Sequence, residues 1–272
     1  MLPRRNHRGK IAQRFMNRLK FVYRMTLYFS KPVWEHYFAL RCLPQDTGNQ
    51  KIIAINSSVT PVDCLDEVRD GFGNKKYVGH CREPHEKFGY EVKGTAEVTG
   101  MRQMKEPLHP MYRYPSDYTR WGAELEQLSQ QLGERENSNL AEAVRVMGFL
   151  YEHFPYAAGV TDIHTTAEEA LRTGKGVCQD YAHIMIALLR HRGIPARYVN
   201  GMMIGEGATH AWVEIYTGEG WYALDPTNNL HVDDYYIKLA HGRDYKDCVL
   251  DKGRFLGDAM QKQEVFVQVE RV

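Results

Sequence analysis

Gly174-Lys-Gly-Val-Cys-Gln-Asp-Tyr-Ala-His-Ile-Met-Ile-Ala-Leu-Leu-Arg-His-Arg-Gly193 is the segment that decides the fold. Apolar side chains recur in it at i, i+3, i+4, i+7 and i+8, which is the spacing of one buried helix face; they are Tyr181, Ile184, Met185, Leu188 and Leu189. Gly193 suits the position just after a helix C-terminus, and Pro195 follows where a helix cannot continue. Cys178 is therefore predicted at the N-terminus of a core-packed helix.

The N-terminal end of a helix favours a reactive thiol. Free backbone N–H groups and the positive end of the helix dipole favour a thiolate over a thiol, and the same N–H groups can stabilise an oxyanion. Asp180 opposes this effect because a nearby negative charge raises a thiol pKa, but it could instead cap a helix N–H or hold the turn. The alternative interpretation is that Cys178 is an inert core cysteine.

The segment that follows predicts a β-hairpin. Residues 209–216 alternate in polarity, residues 217–220 form a Gly-rich turn, and residues 221–225 return. A symmetric turn places Asp225 diagonally beside His210 on one face of the sheet, at about 7–8 Å between the two backbone positions. A slip of one residue would move one of them to the opposite face. The same face carries the side chains of His210, Trp212, Glu214 and Tyr216.

A histidine held by a carboxylate beside a helix-terminal cysteine is the arrangement for covalent acyl transfer. The sequence thus predicts Cys178 as the nucleophile, His210 as the base and Asp225 as the acid that orients the imidazole. Taken singly, His210 could be a structural histidine, and Asp225 a turn residue before a proline. Two other classes of protein could carry the same three residues. These are a non-catalytic binding or scaffold protein, and a metallohydrolase that uses the three residues as zinc ligands.

The N-terminal part of the chain has the character of a β-rich domain. Aromatic and β-branched runs alternate from Leu19 to about Val98, interrupted by turns such as Asp70–Asn74, and this favours a β-sandwich-like unit. The stretch Pro107–Pro115 predicts a linker, and three helices are expected between Ser116 and Gly174. The predicted organisation is a basic N-terminal arm (1–18), a β-rich domain (19–106) and a catalytic domain (107–272), with an α+β fold class overall.

Composition narrows the function classes. The chain has 272 residues, 43% of them hydrophobic, and a net charge of +1, which argues against global disorder and against a protein that coats a polyanion. Five cysteines without a CxxC pair argue against a disulfide framework or structural zinc site. The sequence has no apolar run typical of a signal peptide or a membrane span. A cytoplasmic protein without nucleic-acid or membrane partners is therefore expected, its oligomeric state left open.

The sequence resembles the transglutaminase-like superfamily, specifically the bacterial group with an N-terminal β-domain. The resemblance extends from about Phe21 to Val272. Its core is carried by four segments, which match in residue type, order and spacing: Gly174–His183, Gly193–Val199, His210-Ala-Trp-Val-Glu214 and Gly220-Trp-Tyr-Ala-Leu-Asp-Pro-Thr-Asn228.

This resemblance implies a papain-like core in which the cysteine helix packs on an antiparallel sheet. It implies the triad Cys178, His210 and Asp225, with Trp212 lining the same cleft as a substrate-binding residue. A peptide or protein amide is the expected substrate of such a cysteine protease or amidohydrolase. No cofactor or metal is expected, and calcium activation is not expected because the sequence has no obvious acidic loop.

The resemblance does not fix the reaction, since superfamily members include cross-linkers, amide hydrolases, peptidases and proteins without catalysis. Hydrolysis is expected here, because the aromatic residues near the triad alternate as one wall would rather than as a tunnel that excludes water. A side-chain oxyanion donor is not identified. Gln179 follows the cysteine, whereas Tyr156 and His164 lie upstream of it.

Overall fold

The computed structural model describes residues 16–100 and 103–272. These residues form antiparallel sheets and α-helices, so the predicted α+β class is confirmed. Most of the predicted basic arm, residues 1–15, lies outside the described residues. Its last three residues, Met16–Arg18, belong to the first strand, which begins before the predicted domain boundary.

The strands in chain order are β1 Met16–Leu40, β2 Gln50–Thr60, β3 Cys64–Arg69, β4 Lys75–Cys81, β5 His85–Thr99, β6 Ala196–Met203, β7 Gly205–Gly207, β8 His210–Tyr216, β9 Trp221–Asp225, β10 Leu230–His231, β11 Tyr236–Gly242, β12 Asp251–Leu256 and β13 Gln261–Arg271. The α-helices are α1 Ala123–Leu132, α2 Asn139–His153, α3 Ala167–Thr173 and α4 Cys178–His191. Short 3₁₀ helices occupy Pro110–Arg113, Asp117–Thr119 and Tyr245–Asp247.

The first sheet is organised around β1, a strand of 25 residues. Its first part runs between β5 and β13, and its last part runs between β4 and β12. Apolar side chains at alternate positions of the first part point into one core, as the period of a strand requires; they are Leu19, Phe21, Tyr23 and Met25, each at most 1% exposed. The N-terminal part of the chain is thus β-rich, as its alternation predicted.

The C-terminal strands depart from the predicted domain division. The prediction placed all of residues 107–272 in the catalytic domain, but β12 and β13 pair with β1 in the first sheet. The physical reason is edge protection, because without β13 the first part of β1 would expose a row of unpaired backbone groups. That residues 19–106 and 107–272 fold as two independent units stays a prediction.

The second sheet has the strand order β10-β9-β8-β6-β11. Helix α4 packs on the face of this sheet that carries Ala211, Val213 and Ile215, and α1, α2 and α3 complete the same apolar core. The three helices expected between Ser116 and Gly174 are present as α1, α2 and α3. This packing places α4 against β8, the strand that begins at His210.

Two side-chain amides join the first sheet to the outer strand of the second. The Gln50 amide accepts from the Lys238 N–H at 2.8 Å and donates to the Lys238 carbonyl at 3.1 Å. The Asn74 amide does the same at His241, at 2.9 and 2.8 Å. Each amide therefore acts as a short piece of strand along the open edge of β11 and satisfies backbone groups that would otherwise be unpaired.

A buried ion network fixes the sheet face that carries His210. The Glu214 carboxylate, 1% exposed, accepts from Arg197 at 2.5 Å and from Lys238 at 2.8 Å, and Arg197 also contacts Glu106 at 2.8 Å. Burial raises the pKa of Glu214, but the two cations outweigh it and hold the pKa below its usual value. The network ties β8 to β6 and, beyond β6, to β11, so the strand that presents His210 is held firmly on that side of the sheet.

In the part of the chain that the structure describes, we find no helix with the length and apolar character needed to span a membrane.

Candidate active site

Cys178 is the first residue of α4, and Asp180 builds the turn that leads into it. One carboxylate oxygen of Asp180 accepts from the Val177 N–H at 2.7 Å and from the Thr161 hydroxyl at 2.7 Å. Asp180 is fully buried, and burial raises its pKa. A Cβ at Gly176 would lie 2.4 Å from the same oxygen, so the turn needs glycine there. Of the roles considered for Asp180, capping and turn support are confirmed.

The hairpin has the predicted register. Tyr216 pairs with Trp221 and Val213 pairs with Leu224, which leaves Asp225 diagonal to His210. The His210 Nε2 lies 2.8 Å from an oxygen of Asp225, within the range of about 2.6–3.2 Å expected for a base and its orienting acid. The parity argument from the sequence therefore located both side chains on one face.

The Asp225 carboxylate is fully buried, and five donors hold it. One oxygen accepts from His210, from the Asn228 amide at 2.8 Å and from the Tyr236 hydroxyl at 2.9 Å. The other accepts from the backbone N–H groups of Thr227 and Asn228 at 3.0 and 3.3 Å. Burial raises the pKa of Asp225, but these bonds, that from His210 first, bring it below its usual value. The acid is therefore an anion with a fixed orientation.

His210 connects the acid to the thiol. Since Nε2 faces Asp225, Nδ1 is the ring nitrogen left for Cys178. Burial lowers the pKa of His210, but the hydrogen bonds to Asp225 and Cys178 and the charges of both outweigh it and raise the pKa to about 10. The imidazolium form of His210 is therefore strongly favoured at neutral pH.

Trp212 is not placed as the sequence predicted. It was expected to line the substrate cleft, but its side chain is only 2% exposed. The indole packs edge-on against Tyr236 and lies 6.5 Å from the His210 ring, centre to centre. The indole also packs directly against the backbone of Gly201, where an added Cβ would lie 2.4 Å from it. Trp212 thus supports the base and its partners from within the core and offers substrate little surface.

Gln179, His164 and Tyr156, the three side chains considered as oxyanion donors, differ in their partners and exposure. The Gln179 amide turns toward the 162 carbonyl at 3.4 Å, and the His164 backbone N–H bonds Asp162 at 2.8 Å. Tyr156 is 58% exposed, and its backbone bridges Gly176, two residues before Cys178. Partial burial and then the charge of Cys178 raise the pKa of its hydroxyl. Tyr156 is therefore the one of the three that is both exposed and electrostatically coupled to the nucleophile.

Two residues of the site were missed by the sequence reasoning. Asn228 was visible only as part of the segment that follows the acid, and Tyr236 gave no local signal because it reaches Asp225 from another strand. Both donate to the Asp225 oxygen that also binds His210. Because the carboxylate already accepts five donors, it has little capacity left to bind a metal, which disfavours the metallohydrolase alternative. Among the described residues, no group of three or more His, Cys, Asp or Glu side chains is arranged to hold a metal ion.

Selective alkylation is the first expected result. Iodoacetamide at mildly acidic pH should modify Cys178 at least about tenfold faster than Cys64, because the His210 imidazolium lies beside Cys178. Cys64 is the matched control because it is the more exposed of the two. The remaining cysteines are buried and burial raises their thiol pKa, so they should react last; they are Cys42, Cys81 and Cys248. Mass spectrometry of the tryptic peptides measures each rate. Equal rates at Cys64 and Cys178 would contradict an activated nucleophile.

Comparisons with known proteins agree with this architecture. A family model described as the transglutaminase-like superfamily matches residues 126–226, and one described as the bacterial transglutaminase-like N-terminal region matches residues 19–97. An uncharacterized protein of Mycobacterium leprae is 25% identical over 280 residues, covering 94% of this chain and 100% of its own. A protein-glutamine gamma-glutamyltransferase of Pseudomonas aeruginosa is 33% identical over 94 residues, covering 28% of this chain and 14% of its own.

Among solved structures, a protein of Cytophaga hutchinsonii named as a candidate cysteine protease superposes with a TM-score of 0.78 at 22% identity. The match covers 96% of this chain and 93% of that one, so the two share the fold over almost their whole length.

Proposed function

The chain belongs to the transglutaminase-like superfamily, and on this premise we propose that it is a cysteine-dependent acyl-transfer enzyme that opens carboxamide or peptide bonds through a thioester on Cys178. The observation that carries the proposal is the position of the His210 ring, which bonds Asp225 through Nε2, leaves Nδ1 for the thiol, and has its pKa raised by both Asp225 and Cys178. The substrate class we propose is a peptide or protein amide.

Acylation follows from this geometry. With the His210 ring held as imidazolium, the thiol proton already lies on the ring, and the Cys178 sulfur attacks the amide carbonyl carbon. The resulting oxyanion lies at the N-terminus of α4, where unpaired backbone N–H groups and the helix dipole stabilise negative charge. The imidazolium then returns the proton to the leaving nitrogen, so that ammonia or an amine departs and a thioester remains.

Deacylation uses the same groups in reverse. An acceptor attacks the thioester while His210 takes its proton, and the imidazolium then protonates the departing Cys178 sulfur. Asp225 keeps its charge throughout, because its five donors and the cationic ring all favour the carboxylate. Its part is to hold the ring in one orientation and to stabilise the imidazolium.

Water is the acceptor that we propose. Water is present at a very high concentration, so an amine competes only where the site binds the amine and excludes water. The aromatic side chains that could have formed such a tunnel are buried elsewhere. Trp212 packs beneath His210, and Trp221 lies in a separate cluster with Met104 and Tyr112. This distribution supports hydrolysis over cross-linking.

The experiment that tests the function supplies glutamine peptides with and without a fluorescent primary amine. Hydrolysis predicts that ammonia release is present without the amine and rises less than about twofold with it. Amine incorporation that outpaces the amine-free release would instead assign a transamidase. If neither product forms and Cys178 is not acylated by any peptide amide, a non-catalytic binding or scaffold role would replace the proposal.

The cytoplasm stays the predicted location. All cysteines in the described residues are free thiols, which suits a reducing compartment and supports this prediction. Fractionation of cells that express the tagged full chain would test it.

A further inference from the structure

A pocket of about 120 Å³ opens between β12 and β13 on the first sheet, with the two halves of β1 forming much of its floor. It shares no residue with the candidate active site. Its walls include the rings of Phe38, Phe88 and Phe255, and its polar lining includes Asp251 and His36. Cavities of roughly 150 Å³ accept a benzene-sized ligand, so this one is on the scale of a small organic group.

The Asp251 carboxyl is the charged group in this pocket whose partners are all neutral. It accepts from the Tyr90 hydroxyl and from the Gln263 amide, the latter at 3.0 Å. No Lys, Arg or His of the described residues is within ion-pair distance of it, and burial raises its pKa to about 6. At neutral pH the pocket therefore holds an anion without a cation, an arrangement that is unfavourable unless something compensates the charge.

The neighbouring groups do not supply that positive charge. Burial, and then the approach of His85, lower the pKa of His36 to about 4, so the His36 ring is neutral. Lys252 also borders the pocket, but it is exposed and follows Asp251 in β12, where successive side chains point to opposite faces. The carboxylate thus faces aromatic walls without an internal counterion.

The aromatic walls suit a cation rather than a neutral ligand. Phe38 and Phe88 are 5% and 1% exposed, with ring centres 4.7 Å apart, and Phe255 is partly exposed at the mouth. A ring face attracts an ammonium group, most strongly when the group is shielded from water. We propose that this pocket binds a small alkylammonium group, whose charge meets Asp251 and whose alkyl substituents pack on the three phenylalanine rings.

Choline and its neutral isostere 3,3-dimethyl-1-butanol test the proposal, because they differ in charge and hardly in shape. We expect choline to bind the full chain at least about tenfold more tightly in an NMR or calorimetric titration at neutral pH. The Asp251→Asn variant should lose this preference and keep weak binding of the alcohol. The proposal is wrong if the two compounds bind equally well, or if neither binds at millimolar concentration.

Phe255→Leu provides a second variant, since it keeps an apolar wall at the exposed rim and removes one aromatic face. It should reduce choline affinity several-fold and leave alcohol binding unchanged, which guards against an Asp251 variant that fails to fold. An unchanged choline affinity in both folded variants would overturn the assignment. A short peptide that carries trimethyllysine separates the two sources of the ligand: binding of the peptide assigns a protein side chain, and binding of choline alone assigns a free metabolite.

Discussion

Replacement of Cys178 by alanine is expected to abolish turnover of peptide amides, with a loss of more than about 10⁴-fold in kcat. The reason is chemical, because alanine has no atom that can form the thioester, and His210 alone cannot replace a covalent route. The fold should be unaffected. The turn before α4 depends on the Asp180 side chain and the Val177 N–H, neither of which the substitution removes.

The matched control for this experiment is Cys64→Ala. Cys64 is exposed on β3 in the first sheet, so its replacement should change kcat by less than about twofold. Thermal unfolding of both variants should follow the wild type. Peptide amide turnover retained by Cys178→Ala, at more than a hundredth of the wild-type rate, would rule out a thioester mechanism on this residue.

Replacement of Asp225 by asparagine should produce the second largest loss, on the order of 10³–10⁴-fold in kcat/KM. Every group that contacts the two Asp225 oxygens is a hydrogen-bond donor. The NH₂ group of an asparagine at this position therefore faces another N–H or O–H group, whichever oxygen it replaces. Where the new amide donates to His210 Nε2, the imidazole proton moves to Nδ1. That tautomer points a proton at the thiol, and the ring can no longer act as the base.

The pH dependence of the same variant carries an independent signature. Asp225 is the stronger of the two groups that raise the pKa of His210 to about 10. Loss of the carboxylate lowers that pKa, so the imidazolium deprotonates at a lower pH, and the alkaline limb of the kcat/KM profile should move toward neutrality. A pH–rate profile of the residual activity measures this shift.

Tyr236→Phe is the matched control for the Asp225 variant. It removes one of the five donors and leaves the carboxylate, so the loss in kcat/KM should stay within about tenfold and the alkaline limb should move little. Near wild-type kcat/KM for Asp225→Asn, with an unshifted profile, would mean that Asp225 stabilises the fold without acting on the base.

Much of the candidate site could be predicted from sequence patterns between residues that are close together in the chain. The 3.6-residue period placed Cys178 at the start of a helix, and α4 begins at this residue. The two-residue period and the turn at 217–220 gave the hairpin register, and with it the approach of His210 to Asp225. These features depend on residues within about fifteen positions of one another, and turn geometry fixes them locally.

What only the tertiary structure decided involves residues far apart in the chain. The pairing of Leu19 with Arg271, the cover that Gln50 and Asn74 give to β11, and the hydrogen bond from Tyr236 to Asp225 have no local signature. Burial of Trp212 was equally unpredictable, because alternation assigns a face of the sheet but not what covers that face. A sequence pattern encodes the geometry of its own element, whereas the partner of each surface is selected by the packing of the whole chain.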